Sequence, residues 1–171
     1  MSKNFSRRAF LKGAAALSLA AASATLLTGC SLDDVANLFG PQKGVLTDGD
    51  FSCFITLKGC QYNPYYVTLS PQLEVKSQFV DPVELATTPD SSKAYQIIPT
   101  FTYIGSDQPL TFEIGRGFEN DPVAPGETQT GYLVVAVDPS AQWTGVVLTL
   151  TLYKNGDPST TSKAIKFTLK K

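Results

Sequence analysis

From Val45 to the C-terminus, apolar and polar residues alternate with a period of two, the pattern of strands that bury one face. Phe51, Cys53, Ile55 and Leu57 alternate with Ser52, Phe54 and Thr56. Tyr66-Val67-Thr68-Leu69 and Leu73-Glu74-Val75-Lys76, the latter running on to Phe79, read as two further strands. Tyr95 to Ile104 predicts a longer strand interrupted by Pro99, and Leu110, Phe112 and Ile114 alternate with Thr111 and Glu113. Tyr132 to Val137 is a continuous apolar run that suits a central strand buried on both sides. Val146 to Tyr153 and Ala164 to Leu169 complete a set of about eight strands.

Turn residues separate these segments. They include Gly105-Ser106-Asp107, Asp121-Pro122, Pro125-Gly126, Asp138-Pro139 and Asn155-Gly156-Asp157. Asn155-Gly156 between two alternating runs is the strongest hairpin signal, because a type I′ turn requires positive φ at both central residues. No window of 11 or more residues after residue 29 shows helical periodicity with high propensity. Many short strands without intervening helices predict an all-β, two-layer antiparallel sandwich.

The N-terminal region departs from this pattern. Lys3, Arg7, Arg8 and Lys12 stand without any acid, and Gly13 to Gly29 is uncharged and rich in Ala and Leu. A basic start followed by an apolar stretch reads as an export signal that takes no part in the fold. Ser6-Arg7-Arg8-Ala9-Phe10-Leu11-Lys12 resembles the twin-arginine export motif, with Arg7, Arg8, Phe10 and Leu11 in the matching places. Leu27-Thr28-Gly29-Cys30 resembles the lipobox of bacterial lipoproteins, in which the cysteine is lipidated and becomes the first mature residue. These resemblances imply a signal peptide over 1–29, a lipidated tether over 30–44 and a β domain over 45–171. The helical part of the chain is then confined to the signal and to a short helix-compatible piece, Asp33 to Phe39, ended by Gly40-Pro41. Two acyl chains hold a protein durably on a bilayer. The expected location is the extracytoplasmic face of the cell membrane, with membrane lipid as the first partner.

Composition narrows the chemistry. The chain has 171 residues, enough for one domain, and 14 Lys+Arg against 15 Asp+Glu. Loss of the basic signal leaves the remainder acidic, so a nucleic-acid partner is not expected. There is no histidine, which excludes Ser-His-Asp and Cys-His nucleophiles and His-ligated metals within this chain. No cofactor and no metal are implied.

Val123-Ala124-Pro125-Gly126-Glu127-Thr128-Gln129-Thr130-Gly131, running into the strand Tyr132 to Val137, resembles the PGE–x–x–x–G–strand signature of telokin-like, immunoglobulin-like domains appended to bacterial lipoproteins. The resemblance implies an extracytoplasmic immunoglobulin-like sandwich of about seven or eight strands over Val45 to Lys171. It brings no catalytic residue with it. Locally, Pro125 and Gly126 suit the central positions of a type II turn.

Few residues are placed for chemistry. Cys53 and Cys60 are candidates for a disulfide in an oxidising compartment, provided the chain reverses near Lys58-Gly59. On one straight strand they would lie about 20 Å apart. The alternative is a buried Cys53 beside an unbridged Cys60, and the spacing does not suit a redox pair. Asp48-Gly49-Asp50 and Glu119-Asn120-Asp121 offer oxygen ligands for calcium but read first as turns. Glu74, Glu84 and Glu113 lack the marks of a paired-carboxylate hydrolase, and no enzyme activity is expected. Tyr62, Tyr65, Tyr66 and Trp143 are the remaining candidates, as anchors for a glycan or an envelope protein, or as rings closing the core. The expected function is a non-catalytic, membrane-tethered binding module; a carbohydrate- or peptide-binding accessory of an envelope transporter or hydrolase is the alternative.

Overall fold

In the computed structural model of the chain, the structure describes residues 41–118 and 122–170. The residues read as an export signal and lipidation site, Arg7, Arg8, Phe10, Leu11 and Cys30, the helix-compatible piece and the segment 119–121 read as a turn lie outside these. Among the described residues there are ten strands and no helix. Sheet A takes the order β1-β2-β3-β7-β6, from β1 (Gln42–Asp48), β2 (Phe51–Asn63), β3 (Thr68–Ser77), β7 (Thr128–Ala136) and β6 (Phe112–Ile114). Sheet B takes the order β10-β8-β5-β4, from β10 (Ile165–Lys170), β8 (Gly145–Lys154), β5 (Tyr95–Tyr103) and β4 (Val83–Leu85). The two-residue β9 (Asp157–Pro158) pairs with the end of β8. All pairings are antiparallel except β4 with β5.

One apolar core lies between the sheets. Leu46, Ile55, Leu69, Leu73 and Leu133 of sheet A meet Ile97, Phe101, Leu148, Leu150, Leu152 and Phe167 of sheet B. The alternation read from the sequence is the inward face of each of these strands.

Several local expectations are corrected. The first strand opens at Gln42, inside the segment read as tether. Tyr66 and Val67 belong to a turn, and the two strands expected over 66–79 are the single strand β3. Pro71 within it has no N–H to give, and the ladder with β7 skips Ser70 and Pro71 between Leu69↔Val135 and Gln72↔Tyr132. β5 is not interrupted at Pro99. Ile97 O and Phe101 O face away from β8, accepting from Ala86 N and Leu110 N. Pro99 shares their direction, so its missing donor falls on the open edge of the strand beyond β4. The apolar run from Tyr132 is buried on one face only: Leu133, Val135 and Val137 point inward, while Tyr132 and Val134 are partly exposed and Ala136 is exposed. A sheet in a two-layer sandwich has an outer face, and among the described residues no third layer covers this one.

Among the described residues, predicted turns are present at Gly105, Pro125-Gly126, Pro139 and Asn155-Gly156. Asn155 and Gly156 have φ of 52° and 85° and join β8 to β9 through Lys154↔Asp157, as a type I′ hairpin requires. Glu127 N donates to Ala124 O at 3.0 Å across Pro125-Gly126, with Gly126 at φ 81°. Further along the same segment, the Phe118 ring sits where a Cβ on Gly131 would be, 2.5 Å from its nearest atom.

Candidate functional site

Sheet topology brings the four candidate aromatic residues to one end of the sandwich. β2 ends at Asn63, β5 at Tyr103, β7 at Ala136 and β10 at Lys170, while β3 starts at Thr68 and β8 at Gly145. The hairpin between β2 and β3 projects from this end. Asn63 Oδ1 accepts from Tyr65 N at 3.0 Å and from Tyr66 N at 3.3 Å, an Asx turn that fixes the tip. Val67 closes it at φ 51°, a left-handed conformation that costs a β-branched residue about 1–2 kcal/mol. Its carbonyl accepts from Val137 N at 3.0 Å, fastening the hairpin base to the chain after β7.

The four rings divide into a base and a tip. Trp143 is only 8% exposed and belongs to the core. It stacks on Tyr103 with centroids 5.9 Å apart and meets Tyr62 edge-on at 6.4 Å. Tyr103 in turn holds the neighbouring loop, its hydroxyl accepting from Asp138 N at 2.7 Å. Asp138 is held below the usual carboxylate range by the Ser140 hydroxyl and then by Ser140 N. Tyr62 is 41% exposed, whereas Tyr65 and Tyr66 reach 91% and 79%. Trp143 therefore closes the core and stiffens the base, and Tyr65 and Tyr66 stand out in solvent. Tyr103 was not singled out from sequence, because alternation places it in a strand without showing what its ring meets.

The cysteines are not bridged to each other. Both lie on the unbroken strand β2, which does not reverse at Lys58-Gly59. A register shift between Leu57 and Gly59 adds one residue and turns Cys60 to the same inward face as Cys53. The separation along the strand remains far beyond disulfide reach. Burial pushes the Cys53 thiol up to about 12, away from the thiolate that nucleophilic or metal chemistry needs.

Asp48, Glu74 and Glu84 are engaged structurally. Asp48 Oδ2, at the β1–β2 turn, accepts from Lys154 Nζ at 2.7 Å and from the Tyr95 hydroxyl at 2.6 Å. These two bonds, Lys154 first, hold its carboxyl below the usual range. Tyr95 also stacks on Phe79 with centroids 4.4 Å apart. Glu74 pairs with Lys58 and Glu84 with Lys93, each at 2.9 Å, and Glu113 is exposed on β6. A cavity of about 440 Å³ beside the Glu84–Lys93 pair is lined also by Asp90, Gln96 and Phe118. Within it the buried Gln96 already accepts from Asp90 N at 2.7 Å. Among the described residues no group of three or more Cys, Asp or Glu side chains converges as metal ligands would.

Comparison with protein-family models and with curated proteins finds no match to this chain.

Proposed function

We propose that the chain is a twin-arginine-exported lipoprotein, anchored through Cys30 on the extracytoplasmic face of the cell membrane, whose β domain acts by binding and not by catalysis. The observation that carries this reading is Cys30, which closes the uncharged stretch behind Arg7-Arg8 and shortly precedes the first strand at Gln42. The fold proposed for the domain is immunoglobulin-like. In support, β2-β3-β7-β6 and β5-β8-β10 have the order of the four- and three-stranded sheets of a constant-type immunoglobulin domain, with β1 and β4 as added edges. The binding role is supported by Tyr65 and Tyr66, large rings held outward on a fixed turn. A glycan- or peptide-binding accessory role would rest on those two tyrosines, since Trp143 lies in the core.

The test is fractionation of cells that express the full chain. The unaltered protein is expected in the membrane fraction. Arg7→Lys with Arg8→Lys should leave the precursor in the cytoplasm, and Cys30→Ser should move exported protein to the soluble fraction. Membrane attachment of the Cys30→Ser chain equal to that of the original would overturn the anchor. Unimpaired export of the double-lysine chain would overturn the route.

A further inference from the structure

We infer that the β2–β3 hairpin tip, Tyr65 and Tyr66 with Tyr62 behind them, rests in the interfacial layer of the membrane that carries the anchor, and so fixes the orientation of the domain. This rests on the lipid anchor proposed above.

Direction comes first. β1 runs antiparallel to β2 with Gln42 opposite Leu57 and Asp48 opposite Phe51. The chain therefore enters β1 from the side of Asn63 and the hairpin tip. The Gln42 side chain holds that entry in place, donating to Thr168 O at 3.2 Å and accepting from Thr168 N at 3.3 Å on β10. Thr168 is likewise near the β10 end that faces the tip.

Length comes second. From Cys30 to Gln42 the fully extended chain spans at most about 40 Å. From the level of Gln42, opposite Leu57, to Asn63 is roughly 20 Å along β2. The linker is thus long enough for the tip to reach the bilayer surface, and short enough to keep the domain beside it.

Chemistry comes third. Gly59 to Leu73 contains no charged residue, so seating the hairpin among headgroups strips water from no ion. Tyrosine suits that layer because its ring prefers the apolar side and its hydroxyl the wet side. The base formed by Trp143, Tyr103 and Asn63 presents the rings with little further loss of freedom on docking. Asp107 and Asp138 are the exposed charges of the loops at this end, and Lys170 stands exposed at the end of β10, so there is no cationic excess here and attraction to anionic lipid does not drive the contact.

The experiment takes the acylated protein from cells that express the full chain, verifies its modification by intact mass, and reconstitutes it into vesicles of phosphatidylethanolamine and phosphatidylglycerol. Tyrosines are iodinated by lactoperoxidase, an enzyme too large to enter the bilayer, and located by mass spectrometry. Tyr65 and Tyr66 should lose most of the labelling they show in the soluble Cys30→Ser chain. Tyr153, on β8, should label alike in both, and the protection should persist at high salt. In a chain with Tyr65→Ser and Tyr66→Ser, Tyr62 should label more strongly in vesicles than it does in the original. Equal labelling of Tyr65 and Tyr66 in the acylated and soluble chains would overturn the inference while leaving the anchor intact. Protection seen in cells but not in vesicles would also overturn it, in favour of an envelope protein or glycan on the same tip. A chain without acyl mass would remove the anchor, and the inference with it.

Discussion

Asp48 joins the two sheets at the end opposite the tyrosine tip. Its carboxylate sits on the β1–β2 turn of sheet A, and its two donors, Tyr95 and Lys154, sit on β5 and β8 of sheet B. Lys154 is about half exposed, so solvent screening weakens its share. The bond from Tyr95, whose ring is buried, carries most of the rest. Asp48→Asn should destabilise the domain by about 1 kcal/mol at neutral pH. The sign with pH follows from the depressed folded pKa. The carboxylate's contribution is complete above the ordinary carboxylate range and disappears as pH falls through its lowered value. Denaturant unfolding of both chains from pH 7 to pH 2 should therefore show the stability gap narrowing on the acid side. A gap that widened with acid would contradict this role.

At the level of strands and turns, legibility tracked how local the cause was. Asn155-Gly156 was readable because two adjacent residues satisfy the whole requirement of the turn, and Pro125-Gly126 for the same reason. Gly156 carries an added constraint that only the fold shows: a Cβ there would lie 2.9 Å from the backbone of Ser91, with φ at 85°. Gly156→Ala should cost about 1–3 kcal/mol from left-handed strain and this collision. Equilibrium unfolding checks it, and a loss within experimental error would contradict the geometry. The prolines were harder to read. Whether Pro99 breaks a strand depends on which side its nitrogen faces, and that is set by β8 and β4, which are distant in sequence. Pro71 shows the same dependence, since β3 continues through it on its pairing with β2. The short strands β1 and β4 owe their existence to partners, Gln42–Asp48 to β2 and Val83–Leu85 to β5. A register shift near Lys58 was equally invisible, and it decides that Cys60 faces the core.

For the molecule as a whole, the period-two pattern was enough to anticipate two antiparallel sheets around one core, because alternation over many strands has few other ways to bury its apolar face. It did not separate the four aromatic candidates. Trp143 and Tyr65 both stand in loops between strands, and only the assembled end of the sandwich places one beneath Tyr62 and Tyr103 and the other in solvent. That division suits a domain whose stiff tip carries no charge from Gly59 to Leu73 and lies on the side from which the chain enters β1. The most direct measurement is the intact mass of the protein extracted from membranes of cells that express the full chain. The expected species begins at Cys30 and carries a diacylglycerol adduct. A chain that still begins at Met1, or one cleaved elsewhere and free of acyl groups, would contradict the anchor on which the proposed role depends.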